Sequence, residues 1–229
     1  RNIFIACDTS SIQVAKKIIR NSQIKLKNYK IGYKFGLEFF YSKNGRKFIE
    51  NLKVKNLWLD VKIFDIPNTS FASIKSLKDL KNISYITVHV SGGLDMLKAI
   101  KKATKKFNKK LKILGVTVLT SFSNSTIKKV GHTKIIKDLV KKQVILAKTA
   151  KLDGIVCSAH EIKFIKKISK KMEIVTPGIR FKGEKSNDQK RVISPKEAFK
   201  NGATSIVMGR SLIKGNIKKN IQRLIESLG

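Results

Sequence analysis

Residues 58–69 read WLDVKIFDIPNT. The stretch starts as a short apolar run of the kind a parallel strand buries on both faces. It nevertheless carries Asp60, Lys62 and Asp65. Burying an unpaired charge costs several kcal/mol or more. Asp60 and Lys62 are two residues apart, so a strand points both to one face, with Cα atoms roughly 6–7 Å apart at about 3.3 Å per residue. Each then limits the cost of burying the other. Asp65 lies an odd step further on and belongs to a loop, where it faces the same pocket or a neighbouring subunit. Pro67 stops the strand, and Asn68 or Thr69 is placed to cap the helix that follows. A structural ion pair would explain one such pair of charges, so the remaining strands decide.

Working outward, apolar β-branched runs recur at IFIACD (3–8), YKIGY (29–33), YITVHV (85–90), KILGVTVL (112–119), GIVCS (154–158), EIVTP (173–177) and SIVMG (205–209), with LWLDVK (57–62) as the third. Helical spacing fills the gaps at about 11–20, 35–51, 69–81, 93–106, 133–150, 159–170, 195–201 and 210–227. In the last, Ile213, Ile217, Ile221, Leu224 and Leu228 recur at three- and four-residue steps. Eight strands, each followed by a helix, predict an α/β fold: a single (β/α)₈ TIM-barrel domain over 1–229. An open doubly wound sheet is the competing arrangement.

In a barrel, the C-terminal ends of the strands form the mouth, where active sites lie. Polar groups gather at those ends. Asp8 ends strand one, Lys30 lies in strand two before Gly32, and His89 is near the end of strand four. Thr120 and Ser121 follow strand five, Pro177-Gly178-Ile179-Arg180 follows strand seven, and Gly209-Arg210 follows strand eight. A strand giving way to a helix at Gly-Arg offers backbone N–H groups and a guanidinium to an anion. Loops seven and eight of barrels often hold phosphate, so a phosphorylated substrate is expected. The long polar stretch FKGEKSNDQKR (181–191) would lie at this mouth.

Composition adds limits. Lys and Arg number 50 against 15 Asp and Glu, a net charge of +35. Lysine pairs recur in nearly every helical segment while arginine is sparse, which reads as a solvated coat set by an AT-rich genome rather than a specific nucleic-acid surface. The coat would still steer anionic substrates inward. Cys7 and Cys157 have no CxxC partner and read as reduced core residues. His89, His132 and His160 lack metal-ligand spacing, so no metal is expected. No apolar run approaches the roughly 18 residues of a membrane span. RNIFIACDTS lacks the core of a signal peptide, which points to the cytoplasm, and a start at Arg1 implies that an initiator Met was lost or left out.

These residues, together with VHVSGG (88–93), GVTVLTS (115–121), LDGIVCSA (152–159), VTPGIR (175–180), DQKR (188–191) and VMGR (207–210), resemble the orotidine 5′-phosphate decarboxylase family nearly end to end. DVKIFDIPNT (60–69), and PGIR followed by DQKR, are the most specific elements. The resemblance implies a homodimer acting on orotidine 5′-monophosphate, the last step of UMP synthesis, without metal or cofactor and with its sites at the dimer interface. It makes Lys62 the proton donor to C6 of the pyrimidine and sets Asp60 beside the departing carboxylate. Asp65, Ile66 and Thr69 would reach into the partner subunit's site. Asp8 and Lys30 would bind ribose hydroxyls, with Lys30 also joining the charged network, and Thr120 would contact the pyrimidine. Arg180, Gln189, Gly209 and Arg210 would serve the phosphate, with 180–191 folding over it. Phe181, Ser194 and Ser211 depart from the family's usual residues, which bears on the stiffness of that segment and the start of the last helix.

Two rivals stand beside this reading. Sugar-phosphate decarboxylases and synthases share D-x-K-x-x-D on strand three but bind Mg²⁺, usually with Glu where this chain has Lys30. A cation there disfavours a divalent metal. A nucleic-acid-binding barrel would follow from charge alone, and it leaves Asp60, Lys62 and Asp65 without a purpose.

Overall fold

Strands that are apolar on both faces need cover on both, and the chain provides it by closing its sheet and wrapping helices around it. The computed structural model describes residues 1–184 and 193–229. Its eight parallel strands close in chain order: β1 (Asn2–Ala6), β2 (Lys30–Gly36), β3 (Leu57–Ile63), β4 (Ile83–His89), β5 (Lys112–Val116), β6 (Gly154–Val156), β7 (Glu173–Thr176) and β8 (Ser205–Met208). The α-helices are α1 (Ile12–Ser22), α2 (Leu37–Phe40), α3 (Gly45–Asn51), α4 (Pro67–Ser76), α5 (Gly93–Phe107), α6 (Asn124–Lys129), α7 (Ile136–Thr149), α8 (Ile162–Ile168), α9 (Pro195–Asn201), α10 (Arg210–Ile213) and α11 (Ile217–Leu228). Among the described residues, no helix is long and apolar enough to cross a membrane.

Two cores result from the alternation of side chains along each strand. Outward residues such as Ile5, Leu59 and Ile86 pack with helix residues such as Ile18, Leu97, Val144 and Leu224. Inward residues Phe4, Ala6, Trp58, Tyr85, Leu114, Val175 and Val207 form a second cluster inside the barrel. Phe4 stands edge-on to Trp58 and Tyr85, at centroid distances of 5.1 and 5.3 Å. Gly32 makes room for it, since a Cβ there would come within 2.7 Å of the Phe4 ring. Below the rings the floor is polar: Asn2 donates to Ser205 Oγ at 3.1 Å, and Lys112 pairs with Glu173. The interior is thus closed from the floor to mid-height, which leaves the top layer for chemistry.

Several boundaries differ from the sequence expectations. The helix expected at 35–51 is two helices, because β2 runs on to Gly36 and a turn separates α2 from α3. The helix expected at 210–227 also divides, at Gly215, whose φ of +75° breaks it. α6 lies between the expected strand at 112–119 and the expected helix at 133–150, where no helix is expected. α4 starts at Pro67 itself, with Ile66 as its N-cap and no side-chain cap. Proline's fixed φ suits the first helical position, so neither Asn68 nor Thr69 is needed as a cap.

Candidate active site

Three adjacent strands build a ladder of alternating charge at the mouth. Asp8 lies just past β1, Lys34 near the end of β2, and Asp60 and Lys62 at the end of β3. Lys34 Nζ donates to Asp8 Oδ1 at 3.2 Å and stands 3.3 Å from Asp60 Oδ2. Lys62 Nζ stands 3.0 Å from Asp60 Oδ1. Asp60 and Lys34 are nearly buried, whereas the side chains of Lys62 and Asp8 are 31% and 59% exposed. The amine of Lys62 therefore reaches the cavity from a buried anchor.

Simple alternation does not explain how Lys62 gets there. The pairing of β3 with β4 shifts between Leu59 and Ile63, and Lys62 adopts φ +48°. A left-handed backbone at a residue other than glycine costs about 1–2 kcal/mol and needs support from its surroundings. Thr87 on β4 supplies it. Its buried hydroxyl accepts from the Lys62 backbone N–H at 3.0 Å and donates to Asp60 Oδ1 at 2.8 Å. One hydroxyl thus ties the backbone of the lysine to the carboxylate that holds its amine.

The charges in this ladder are mutually stabilised. Burial alone would raise the Asp60 pKa, but Lys34, Lys62 and the Thr87 hydroxyl outweigh it and hold the carboxyl below the usual range. Burial would lower that of Lys34, yet Asp60 and Asp8 leave it raised overall. The His89 pKa is lowered by burial and by the Lys62 cation, against a smaller opposing effect of Asp60, which favours the neutral ring. The two thiols are held protonated: burial pushes Cys7 up to about 12 and Cys157 well above its ordinary value.

A cavity of about 270 Å³ opens above the inner core, with Ala6, Trp58, Val116, Val156 and Val207 below. Asp8, Lys34, Asp60 and Lys62 line it together with Thr120, Arg180, Gly209 and Arg210. The mouth therefore gathers the expected Asp8, Asp60, Lys62, Thr120, Arg180, Gly209 and Arg210. It does not gather Asp65, Ile66 and Thr69, which lie exposed on the rim. The Asp65 carboxylate accepts from the Ile66 backbone N–H at 2.7 Å, while Phe64 and Ile66 are 63% and 66% exposed. Gln189, and most of the segment expected to fold over the phosphate, lie outside the described residues.

Lys30 requires correction. It is the first residue of β2, exposed and paired in register with Asn2 at the floor, the end opposite the cavity. Lys34 takes the expected place in the network. The strand contains two Lys-x-Gly repeats, Lys30-Ile-Gly32 and Lys34-Phe-Gly36. The register that sets Ala6 beside Lys34 and Gly36 beside Asp60 brings the second to the mouth. Thr87 was also missed, and a threonine within YITVHV gives no local signal of its role. Among the described residues, no three His, Cys, Asp or Glu side chains are grouped to hold a metal. The Lys34 ammonium stands between Asp8 and Asp60.

Comparison with known proteins identifies the family. A family model described as the orotidine 5′-phosphate decarboxylase / HUMPS family matches residues 1–222. The chain is 38% identical over 237 residues to the orotidine 5′-phosphate decarboxylase of Carboxydothermus hydrogenoformans, covering 99% of this chain and 95% of that one. It is 35% identical over 227 residues to that of Erythrobacter litoralis, covering 98% and 97%. The crystal structure of orotidine 5′-phosphate decarboxylase from Lactobacillus acidophilus is similar with a TM-score of 0.84 at 28% identity, covering 100% of this chain and 99% of that one.

Proposed function

We propose a mechanism from one premise: the chain belongs to the orotidine 5′-phosphate decarboxylase / HUMPS family and converts orotidine 5′-monophosphate to UMP and CO₂, a step of pyrimidine biosynthesis. The observation that carries the mechanism is the Asp8–Lys34–Asp60–Lys62 ladder beside a cavity that Arg180 and Arg210 also line. The phosphate binds at Arg180, Gly209 and Arg210, with Gln189 assigned to the same end. Asp8 and Lys34 take the ribose hydroxyls, and Thr120 meets the pyrimidine. This places C6 and its carboxylate against Asp60 and Lys62.

Breaking the bond from C6 to the carboxylate leaves the electron pair on C6, in an orbital that the ring cannot delocalise. CO₂ departs beside Asp60. The fixed Lys62 ammonium stabilises the new charge as it forms. It then gives a proton to C6 and regains one from solvent. Asp60 keeps the amine charged and aimed, and Thr87 positions both. Grip on the distant phosphate supplies binding energy that is used at the reacting centre. No step calls on a metal or organic cofactor.

The working unit is a homodimer in the cytoplasm. Asp65, Ile66 and Thr69 complete the partner subunit's site. Supporting this, Phe64 and Ile66 expose apolar surface on either side of Asp65 at the rim of the mouth, as a self-complementary two-fold interface requires. The direct test follows the absorbance of orotidine 5′-monophosphate after adding purified protein with EDTA present. Full-rate decay is expected. A stable substrate, or activity that EDTA abolishes, would overturn the proposal.

A further inference from the structure

The excess positive charge is not spread evenly over the barrel. Connections that run from a helix into a strand all lie at the floor, because the strands are parallel. Lys53 and Lys55 precede β3, Lys109 and Lys110 precede β5, and Lys170 and Lys171 precede β7. All six are exposed, and among the described residues none of them forms an ion pair. The entries to β2, β4 and β6 also carry lysine. The acids on these connections, Asp79 and Asp153, are held by Arg46 and Lys101.

The described connections leaving the strands for the mouth are different, although their total length is similar. Their cations are Arg180 and Lys182, joined by Lys43, Lys134 and Lys214 on the segments that lead from α2, α6 and α10 into the next helix, and they are set against Asp8, Asp65, Glu161 and Glu184. An excess of lysine without positional meaning would load both ends alike.

We propose that the floor is a docking surface for the phosphate backbone of a nucleic acid, bound without regard to sequence. Compact lysine ammonium groups suit phosphate as point charges, whereas base reading favours the arginine fork. Of the large exposed apolar side chains, only Ile24 lies on the floor connections. An anionic membrane would want more such anchors, and a protein interface would want an apolar centre. The floor is the end remote from the cavity, so a bound polyanion leaves the mouth open to substrate.

The test compares two variants that lose equal charge. One carries Lys→Gln at the six floor positions named above. The other carries Lys→Gln at the helix positions Lys98, Lys105, Lys141, Lys142, Lys163 and Lys167, all exposed. Fluorescence anisotropy with labelled single-stranded and duplex oligonucleotides of mixed sequence reads affinity across a salt series. The parent protein is expected to bind both, with log affinity falling linearly against log salt. The floor variant should bind at least about tenfold more weakly and with a shallower slope, near one unit for each lost phosphate contact. The helix variant should change less than about threefold by the same contact argument, and turnover should be equal in all three, which certifies their folding. Equal losses in the two variants would reduce the effect to net charge and overturn the proposal. So would no binding by the parent at low salt, or binding to phosphatidylserine vesicles without binding to oligonucleotides.

Discussion

The two ends of the barrel use the same residue type in opposite ways, and β2 shows both. Lys30 starts the strand in water at the floor, and four residues later Lys34 ends up nearly buried between Asp8 and Asp60. Among the described residues the six exposed floor lysines form no ion pair, so salt screens them. Charges at the mouth are coupled through contacts of 2.8–3.3 Å, so removing one alters the others. A lysine's location along a strand, not its presence, determines whether it does chemistry.

The sharpest break of this contrast is Lys62→Ala. Turnover should fall by at least about 10⁴-fold, since both charge stabilisation and proton donation are lost. UMP affinity, measured by calorimetry, should change little. Near-normal turnover would remove the lysine from the mechanism.

Within β2, Lys34→Ala should lower kcat/KM by about 10²–10³-fold through loss of a cation fixed beside the substrate. Lys30→Ala should change it less than about twofold, as exposed surface changes do. Equal effects from the two would contradict the strand register. Asp60→Asn and Asp65→Asn proteins, each inactive alone, should recover activity when mixed and allowed to exchange subunits, approaching about a quarter of wild-type sites by two-fold symmetry. Failure to recover, with exchange verified by mass, would place Asp65 within its own chain's site.

The smallest effect concerns Thr87. Thr87→Val removes one hydrogen bond to a charged group, worth about 1.5–3 kcal/mol, and kcat should fall roughly ten- to a hundredfold. The pH profile separates positioning from damage. Asp60 has a depressed pKa in the folded protein, so its stabilising contribution is present above the unfolded value near 4 and is lost as pH falls through the folded one. The parent should therefore show no acid limb from Asp60 between pH 5 and 7. Loss of the Thr87 donor raises that pKa and moves the limb upward, and Thr87→Ser should restore the parent profile. A Thr87→Val profile that drops in height without moving would deny the link to Asp60.

Eight short β-branched runs were legible in the sequence because strands buried on both faces must be apolar throughout. Asp60, Lys62 and Asp65 were legible because charge in such a run is costly. What the chain withheld depends on alignment between neighbours. YKIGYKFG offers two equivalent Lys-x-Gly repeats, and only pairing with β1 and β3 selects Lys34. Thr87 matters through a contact 25 residues away in sequence, with the Lys62 backbone. The breaks at Tyr41–Asn44 and Gly215 fell inside apolar patterns that read smoothly as single helices.

The Thr87 hydroxyl has one further consequence. It joins Asp60 and Lys62 only while β4 sits in its observed alignment with β3, because a one-residue slip would turn the hydroxyl outward. Decarboxylation is thus a gauge of barrel assembly. A molecule whose sheet had closed one step out of alignment would keep its helix and strand content in circular dichroism, and would be exposed as misassembled by its silence in the assay.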